Sequence, residues 1–193
     1  MTIDLGPAAS EVTRLLDNLL DDDLRRPTPC PEYTVGGMLD HFMGLTLAFT
    51  GGAEKSGQAS PPPAPGAQDP DPDWRTLLPQ RLDDLAAAWR EPGAWDGETT
   101  VGGVTLPAQQ HGLFALDELV MHGWDLARAT GQQFRVDDAT LAAVLGLLEQ
   151  SAELPQEQRA GLFGPVVEIP SGASDLDQAV AYAGRRPDWT PDA

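Results

Sequence analysis

The chain is poor in lysine, in cysteine and in positive charge. Of its 193 residues, 12 are lysine or arginine and 30 are aspartate or glutamate, so the formal net charge is -18; the one lysine is Lys55. Because such a surface repels phosphate backbones and anionic lipid headgroups, nucleic acids and membranes are poor candidate partners. The one cysteine, Cys30, excludes an intrachain disulfide and is typical of a reducing compartment.

Long hydrophobic runs are also missing. No segment approaches the ~20 consecutive apolar residues that a membrane-spanning helix needs. The opening MTIDLGPAAS lacks the basic and apolar regions of a signal peptide. We therefore expect a cytoplasmic protein. The length predicts one domain, residues 1–193, because a chain this short favours one hydrophobic core over two.

Apolar residues at steps of three and four predict an all-α fold. Four long helices are expected: one after Pro7, one at about 35–50, one at about 74–90, and one from Pro107 to about Thr130. Two further helices are expected from about Ala139 and, with Ser174 as N-cap, at about 175–184. Thr34 is the expected N-cap of the second helix, after the proline-rich loop RPTPCPEYT.

Two segments between the helices have a different composition. Residues 51–73 are rich in Gly, Pro and Ser, which predicts a linker. Such a linker can run back along a helix of about 24 Å, and this predicts an up-down-down-up bundle with a long crossover between helices two and three. At about 98–106, β-branched residues on both sides of Gly102 and Gly103 predict a small β-hairpin.

The fourth helix is apolar but carries polar side chains on one side. In ELVMHGWDLARATG (118–131), Glu118, His122 and Asp125 lie within a sector of about 60°. Glu118 and His122 are about 6 Å apart along the axis, so both can reach one ion. Such a pair alone is common on solvated helices. His41, on the apolar stripe of the second helix, is either an ordinary core histidine or a third ligand, and three ligands leave coordination positions open for catalysis.

Three further side chains have alternative roles. Asp125 either accepts the proton of the His122 nitrogen that faces away from the metal, or pairs with Arg128 at the helix end. His111 lies about 10 Å before Glu118 along the axis, too far for the same ion, and belongs to the helix start or the pocket rim. Cys30 either reaches the pocket or packs among prolines, and packing is favoured.

Three motifs, in this order, carry a resemblance to a known family: TPCPEYTVGGMLDH (28–41), ELVMHGWDLARATG (118–131) and ASDLDQAVAYAGRRPDW (173–189). The chain resembles the metal-binding proteins of the DinB-like superfamily, and within it the actinobacterial group related to mycothiol-dependent maleylpyruvate isomerase. The resemblance implies a four-helix bundle with a divalent metal, commonly zinc, bound by His41, Glu118 and His122. The position of Tyr33 is often tryptophan in the family, and the acidic ligand can be aspartate. The isomerase also has a separate C-terminal domain, where this chain has a short tail.

The resemblance and the open metal positions favour a thiol-dependent isomerase or S-transferase. Mycothiol would bind the metal as a thiolate and attack a small electrophilic substrate. Zinc is the expected metal, although nickel, iron and manganese suit the same ligands. Two alternatives stay open: a metal-dependent hydrolase with Asp125 or Glu32 as base, and a non-catalytic metal-binding module for which a homodimer is one arrangement.

Overall fold

Four long helices pack around a hydrophobic core, as the sequence predicts. The computed structural model describes residues 2–56 and 70–191. Its helices are α1 (Gly6–Leu16), a 3-10 helix (Asp21–Arg25), α2 (Val35–Ala53), α3 (Trp74–Arg90), α4 (Ala108–Thr130), α5 (Asp138–Ala152), α6 (Gln156–Arg159) and α7 (Asp175–Tyr182). The all-α class is confirmed.

The predicted hairpin is also present. Strands β1 (Glu98–Val101) and β2 (Val104–Pro107) pair antiparallel. Gly102 and Gly103 form the turn between them with φ of +58° and +82°, a conformation that favours glycine at both positions. The second strand ends one residue beyond the predicted hairpin and leads directly into α4.

Three helix boundaries lie where their capping residues predict them. Thr34 Oγ1 accepts a hydrogen bond from the backbone nitrogen of Gly37 at 3.2 Å, at the start of α2. Ser174 Oγ accepts one from the backbone nitrogen of Asp177 at 3.1 Å, at the start of α7. Helix α4 ends at Thr130 because Gly131 adopts the left-handed conformation with φ of +69°.

The predicted linker at 51–73 begins too early. Helix α2 continues to Ala53, because Gly52 allows the hairpin to pack directly on the helix backbone. A Cβ atom at Gly52 would lie 2.6 Å from the Cγ2 atom of Val101, so only glycine permits this contact. Gly52, one of the glycines that suggested a linker, therefore serves a helix–hairpin interface. Most of the predicted linker, residues 57–69, lies outside the described residues.

Contacts along the helices establish their relative directions. Two hydrogen bonds join α3 to α2 in the same order along both helices. Arg81 Nη1 donates to Met43 O at 2.9 Å. Further along, Trp89 Nε1 donates to Phe49 O at 3.2 Å. Helices α2 and α3 therefore run in the same direction. A Cβ at Gly123 of α4 would lie 3.4 Å from Val12 Cγ2 of α1. Further along both helices, Gln132 donates to the carbonyl of Leu15 at 3.1 Å, so these two helices also share a direction. These contacts are those that the up-down-down-up order requires.

The C-terminal helices cover one side of α4. Helix α7 packs on α5, and α5 packs on α4. Because α1 and α2 contact α4 as well, most of its side chains are buried, including polar ones. Within residues 2–56 and 70–191, no helix is long and apolar enough to cross a membrane.

Candidate metal centre

His41, Glu118 and His122 meet between α2 and α4. One carboxylate oxygen, Glu118 Oε2, lies 3.0 Å from His41 Nε2 and 3.1 Å from His122 Nε2. The two imidazole rings are nearly perpendicular, with centroids 4.9 Å apart. Around a tetrahedral zinc with bonds of ~2.0–2.1 Å, neighbouring ligand atoms are about 3.3 Å apart. The three side chains therefore fit one divalent ion, and that they bind it is a prediction.

The charges of this cluster depend on each other. Burial disfavours the charged form of His122, but hydrogen bonds with Asp125 and Glu118 outweigh it and raise the pKa of His122 to about 9. Burial would raise the pKa of Glu118 in turn, yet hydrogen bonds with His122 and His41 hold it well below its ordinary value. Without a metal the cluster is thus an ion pair, and a cation has to displace the proton of His122.

The ring nitrogen of His122 that faces away from Glu118 has a buried partner. His122 Nδ1 lies 3.0 Å from Oδ2 of Asp125, whose side chain is fully buried. If Nε2 binds a metal, Nδ1 carries the proton and donates it to this carboxylate. The alternative partner, Arg128, instead donates to the carbonyl of Trp189 at 2.6 Å.

Arg185 is a second partner of Asp125, and sequence reasoning missed it. Arg185 Nη2 donates to Asp125 Oδ2 at 2.9 Å, and Nε donates to Oδ1 at 3.3 Å. The guanidinium is itself buried, and its charge lowers the pKa of Asp125 against the opposing effect of burial. The available signal was the pair Arg185 and Arg186 after α7, but the sequence does not say which of the two points inward.

Tyr33 contacts the second imidazole. Its hydroxyl lies 3.3 Å from His41 Nδ1, and the two rings stack with centroids 4.9 Å apart. Burial raises the pKa of Tyr33 to about 12, so the hydroxyl keeps its proton at neutral pH. The tyrosine thus provides a polar partner to His41 at Nδ1, whereas Nε2 faces Glu118.

Asp117 is a second buried carboxyl that sequence reasoning missed. It is 5% exposed, and its Oδ1 atom has no hydrogen-bond partner among the residues that the structure describes. Burial, and then repulsion by Glu118, raise the pKa of Asp117 to about 7. It lies next to Glu118 in the chain but about 100° away around the helix, which is why a search for one polar face does not include it.

His111 and Cys30 lie outside the three-ligand cluster. His111 Nε2 is 3.1 Å from the carbonyl of Val104 on the hairpin, which places the ring near the start of α4, as predicted. Cys30 Sγ lies within 4.8 Å of ligand atoms of His122 and Asp125. Because Asp125 already pairs with the Arg185 guanidinium, whose charge repels a cation, this group is a poor metal site. Burial raises the pKa of the Cys30 thiol to about 11.

Comparisons with known proteins place this geometry in a family context. The family model described as the mycothiol maleylpyruvate isomerase N-terminal domain matches residues 5–127. Two uncharacterised proteins of Mycobacterium tuberculosis, from strains CDC 1551 / Oshkosh and ATCC 25618 / H37Rv, are each 28% identical to the chain over 177 residues. That alignment covers 89% of this chain and 90% of each relative.

Two solved structures have a similar fold. The crystal structure of the mycothiol-dependent maleylpyruvate isomerase matches with a TM-score of 0.66 at 18% identity. The structure of a histidine-to-alanine mutant of that enzyme matches with a TM-score of 0.67 at 17% identity. Each match covers 95% of this chain and 88% of the other. At this identity the similarity shows a shared fold, and the DinB-like bundle expected from the sequence is confirmed.

Proposed function

The chain belongs to the mycothiol maleylpyruvate isomerase N-terminal domain family, and from this premise we propose that it is a metal-dependent, thiol-using enzyme. In this proposal His41, Glu118 and His122 bind one divalent ion, with zinc as the expected metal. A mycothiol-type thiol is the cosubstrate, and a small electrophile is isomerised or receives the thiol. The proposal treats residues 1–193 as one domain.

One observation carries the proposal: three ligand atoms from two helices converge at nearly the spacing that one ion needs. Two imidazoles and one carboxylate supply three ligands, so a tetrahedral ion keeps one position for an exogenous group. The Glu118 side chain is 30% exposed, so this group can reach the site from solvent. When bound, the metal supplies Lewis acidity that lowers the pKa of a coordinated thiol.

The surrounding residues fix the ligands and control the proton. Asp125 holds the proton of His122 at Nδ1, which leaves Nε2 free to coordinate. Tyr33 lies against His41 Nδ1, where its hydroxyl oxygen can accept the proton of that nitrogen. Both imidazoles are therefore prepared to bind through the nitrogen that faces Glu118.

The hydrolase alternative is supported less well. A general base must reach the water that it activates. Asp125 is fully buried and pairs with both His122 and Arg185, so it is unsuited to that task. In the described part of the chain, the Glu32 side chain makes no hydrogen bond to the proposed metal ligands His41, Glu118 and His122. Hydrolase activity is therefore the alternative function that the experiment below tests.

Metal content and thiol binding test the proposal together. Protein purified without a polyhistidine tag is analysed for metals, and the same sample is titrated with mycothiol by calorimetry. We expect about one metal ion per chain, and thiol binding that disappears after the metal is removed with a chelator. Metal-bound protein that does not bind millimolar thiol would exclude the thiol-dependent function, and thiol-independent turnover of an ester or amide would favour the hydrolase.

The three histidines of the chain provide a matched set of variants. His41→Ala and His122→Ala should each lose most of the bound metal, because each removes one of three ligands. His111→Gln is the control, because this side chain contacts the hairpin and not the cluster. Full metal retention in both alanine variants contradicts the ligand assignment, and so does equal loss in all three.

A further inference from the structure

Asp125 has an unusual electrostatic requirement. Its side chain is fully buried on α4, and a buried carboxylate is stable only when it is paired and hydrogen-bonded. His122 provides one contact to Oδ2. A metal-bound His122 is neutral, and among the described residues the permanently charged side chain that pairs with Asp125 is Arg185, which contacts both of its oxygens.

The position of Arg185 is fixed by the end of α7. The backbone nitrogen of Gly184 donates to the carbonyl of Ala181, and that of Arg185 donates to the carbonyl of Val180, both at 3.0 Å. This pair of bonds is a Schellman cap, which requires the left-handed φ of +88° observed at Gly184. The cap turns the chain back toward the bundle and directs Arg185 at α4.

One more contact holds the Arg185 guanidinium in place. Its Nη1 atom donates to the carbonyl of Ala183 at 3.0 Å, so three of its nitrogens have acceptors within the protein. Its neighbour Arg186 points outward and, in the part of the chain that the structure describes, pairs with Asp188, two residues away on the surface. Adjacent arginines therefore have opposite environments, one buried against the cluster and one in solvent.

We infer that Arg185 is a positioning residue of the metal centre, acting through Asp125 on His122. The guanidinium holds the carboxylate in the orientation that accepts the Nδ1 proton of His122, and this keeps Nε2 available for the metal. The series of contacts from Arg185 through Asp125 to His122 thus connects the end of α7 to a proposed ligand 63 residues earlier in the sequence. The inference rests on the metal-binding part of the proposed function.

The inference also assigns a role to the C-terminal segment. The family model matches residues 5–127, which include all three proposed ligands, whereas Arg185 lies beyond it. The C-terminal segment is then a structural part of the metal centre and more than a cover for α4. Truncation after α4 would remove Arg185 from Asp125 together with the helices that cover α4.

Zinc affinity tests the inference without any assay of turnover. The dissociation constant of zinc is measured by competition with a chromophoric chelator for wild type, Arg185→Met and the matched control Arg186→Met. We expect Arg185→Met to weaken zinc binding about 10–100-fold, the usual effect of losing an outer partner of a metal ligand. Arg186→Met should stay within about 2-fold of wild type, because its partner is a surface carboxylate.

A double-mutant cycle and an NMR signal separate positioning from a general loss of stability. If Arg185 acts through Asp125, then Arg185→Met should weaken zinc binding much less in an Asp125→Asn background than alone. In zinc-loaded protein the Nδ1 proton of His122 should give a slowly exchanging resonance in wild type and Arg186→Met. In Arg185→Met this resonance should shift and exchange faster.

A conservative variant keeps the test decisive if Arg185→Met does not fold. Arg185→Lys keeps the charge but cannot contact both carboxylate oxygens in the same way, so a smaller loss of zinc affinity is expected. Wild-type zinc affinity and an unchanged His122 resonance in every folded Arg185 variant would overturn the inference. Failure of the wild type itself to bind zinc would instead contradict the proposed function.

Discussion

At the residue scale, two adjacent carboxyls acquire opposite properties. Glu118 faces two imidazoles, and their hydrogen bonds keep its pKa low. Asp117 points about 100° away around the helix, where burial without a partner for Oδ1 raises its pKa to about 7. Helical periodicity was sufficient to predict that Glu118 and His122 share a face. It could not predict the environment of Asp117, which depends on the helices that pack against it.

Asp117→Asn should stabilise the protein in a pH-dependent way. The folded state holds the Asp117 proton up to a pH of about 7, whereas the unfolded chain releases it near the ordinary pKa of 3.8. Wild-type stability therefore falls as pH rises between these values, and the neutral amide avoids this loss. Urea unfolding should show little difference at pH 4 and a gain of about 2–4 kcal/mol at pH 8. An equal effect at both pH values would contradict the assigned pKa.

In the metal-free protein, the ionisation of His122 should also make stability depend on pH. Here the charged form is a cation, whereas that of Asp117 is an anion. The pKa of His122 is raised from 6.5 to about 9 in the folded state, so its contribution is complete below pH 6.5. That contribution is lost as pH rises through about 9. In chelator-treated protein, the stability advantage of wild type over His122→Gln should therefore shrink between pH 6.5 and 9. Zinc-loaded wild type should not show this loss, because the bound imidazole is neutral throughout.

At the element scale, the ends of helices decide which side chains reach the site. Periodicity and capping residues predicted α2 and α4, and with them the three proposed ligands. The Schellman cap of α7 could not be used in the same way, because its effect depends on α7 packing against α5 and on a contact 60 residues away. Sequence reasoning thus identified the proposed ligands on long helices and missed the arginine that follows a short one.

Gly184→Ala should disturb both stability and the metal centre. A Cβ atom at this position would lie 2.6 Å from the Cα atom of Gly164, in addition to the strain of a φ of +88°. Gly172→Ala is a matched control with a φ of +89° and no described atom within 4 Å of its Cβ position. We expect a loss of about 1 kcal/mol in the control and of about 2–4 kcal/mol in Gly184→Ala, measured by urea unfolding. Weaker zinc binding should accompany only the latter, and equal losses would contradict the close packing.

At the scale of the whole molecule, the bundle brings together groups that are far apart in the chain. His41 comes from α2, Glu118 and His122 from α4, and Arg185 from the turn after α7. Parallel contacts between α2 and α3 agree with the crossover that the linker composition predicted. The four long helices were therefore accessible from the sequence, whereas the docking of α7 on α5 and the inward turn of Arg185 required the tertiary structure.

The most direct measurement of the central claim uses cobalt in place of zinc. Cobalt-loaded protein is titrated with mycothiol while the near-ultraviolet spectrum is recorded, because a thiolate bound to cobalt gives a charge-transfer band. We expect a band that saturates at one thiol per chain and is missing in His122→Ala, which should lose most of the metal. If cobalt stays bound in wild type and no such band forms at millimolar thiol, the proposal that a thiol binds the metal is contradicted.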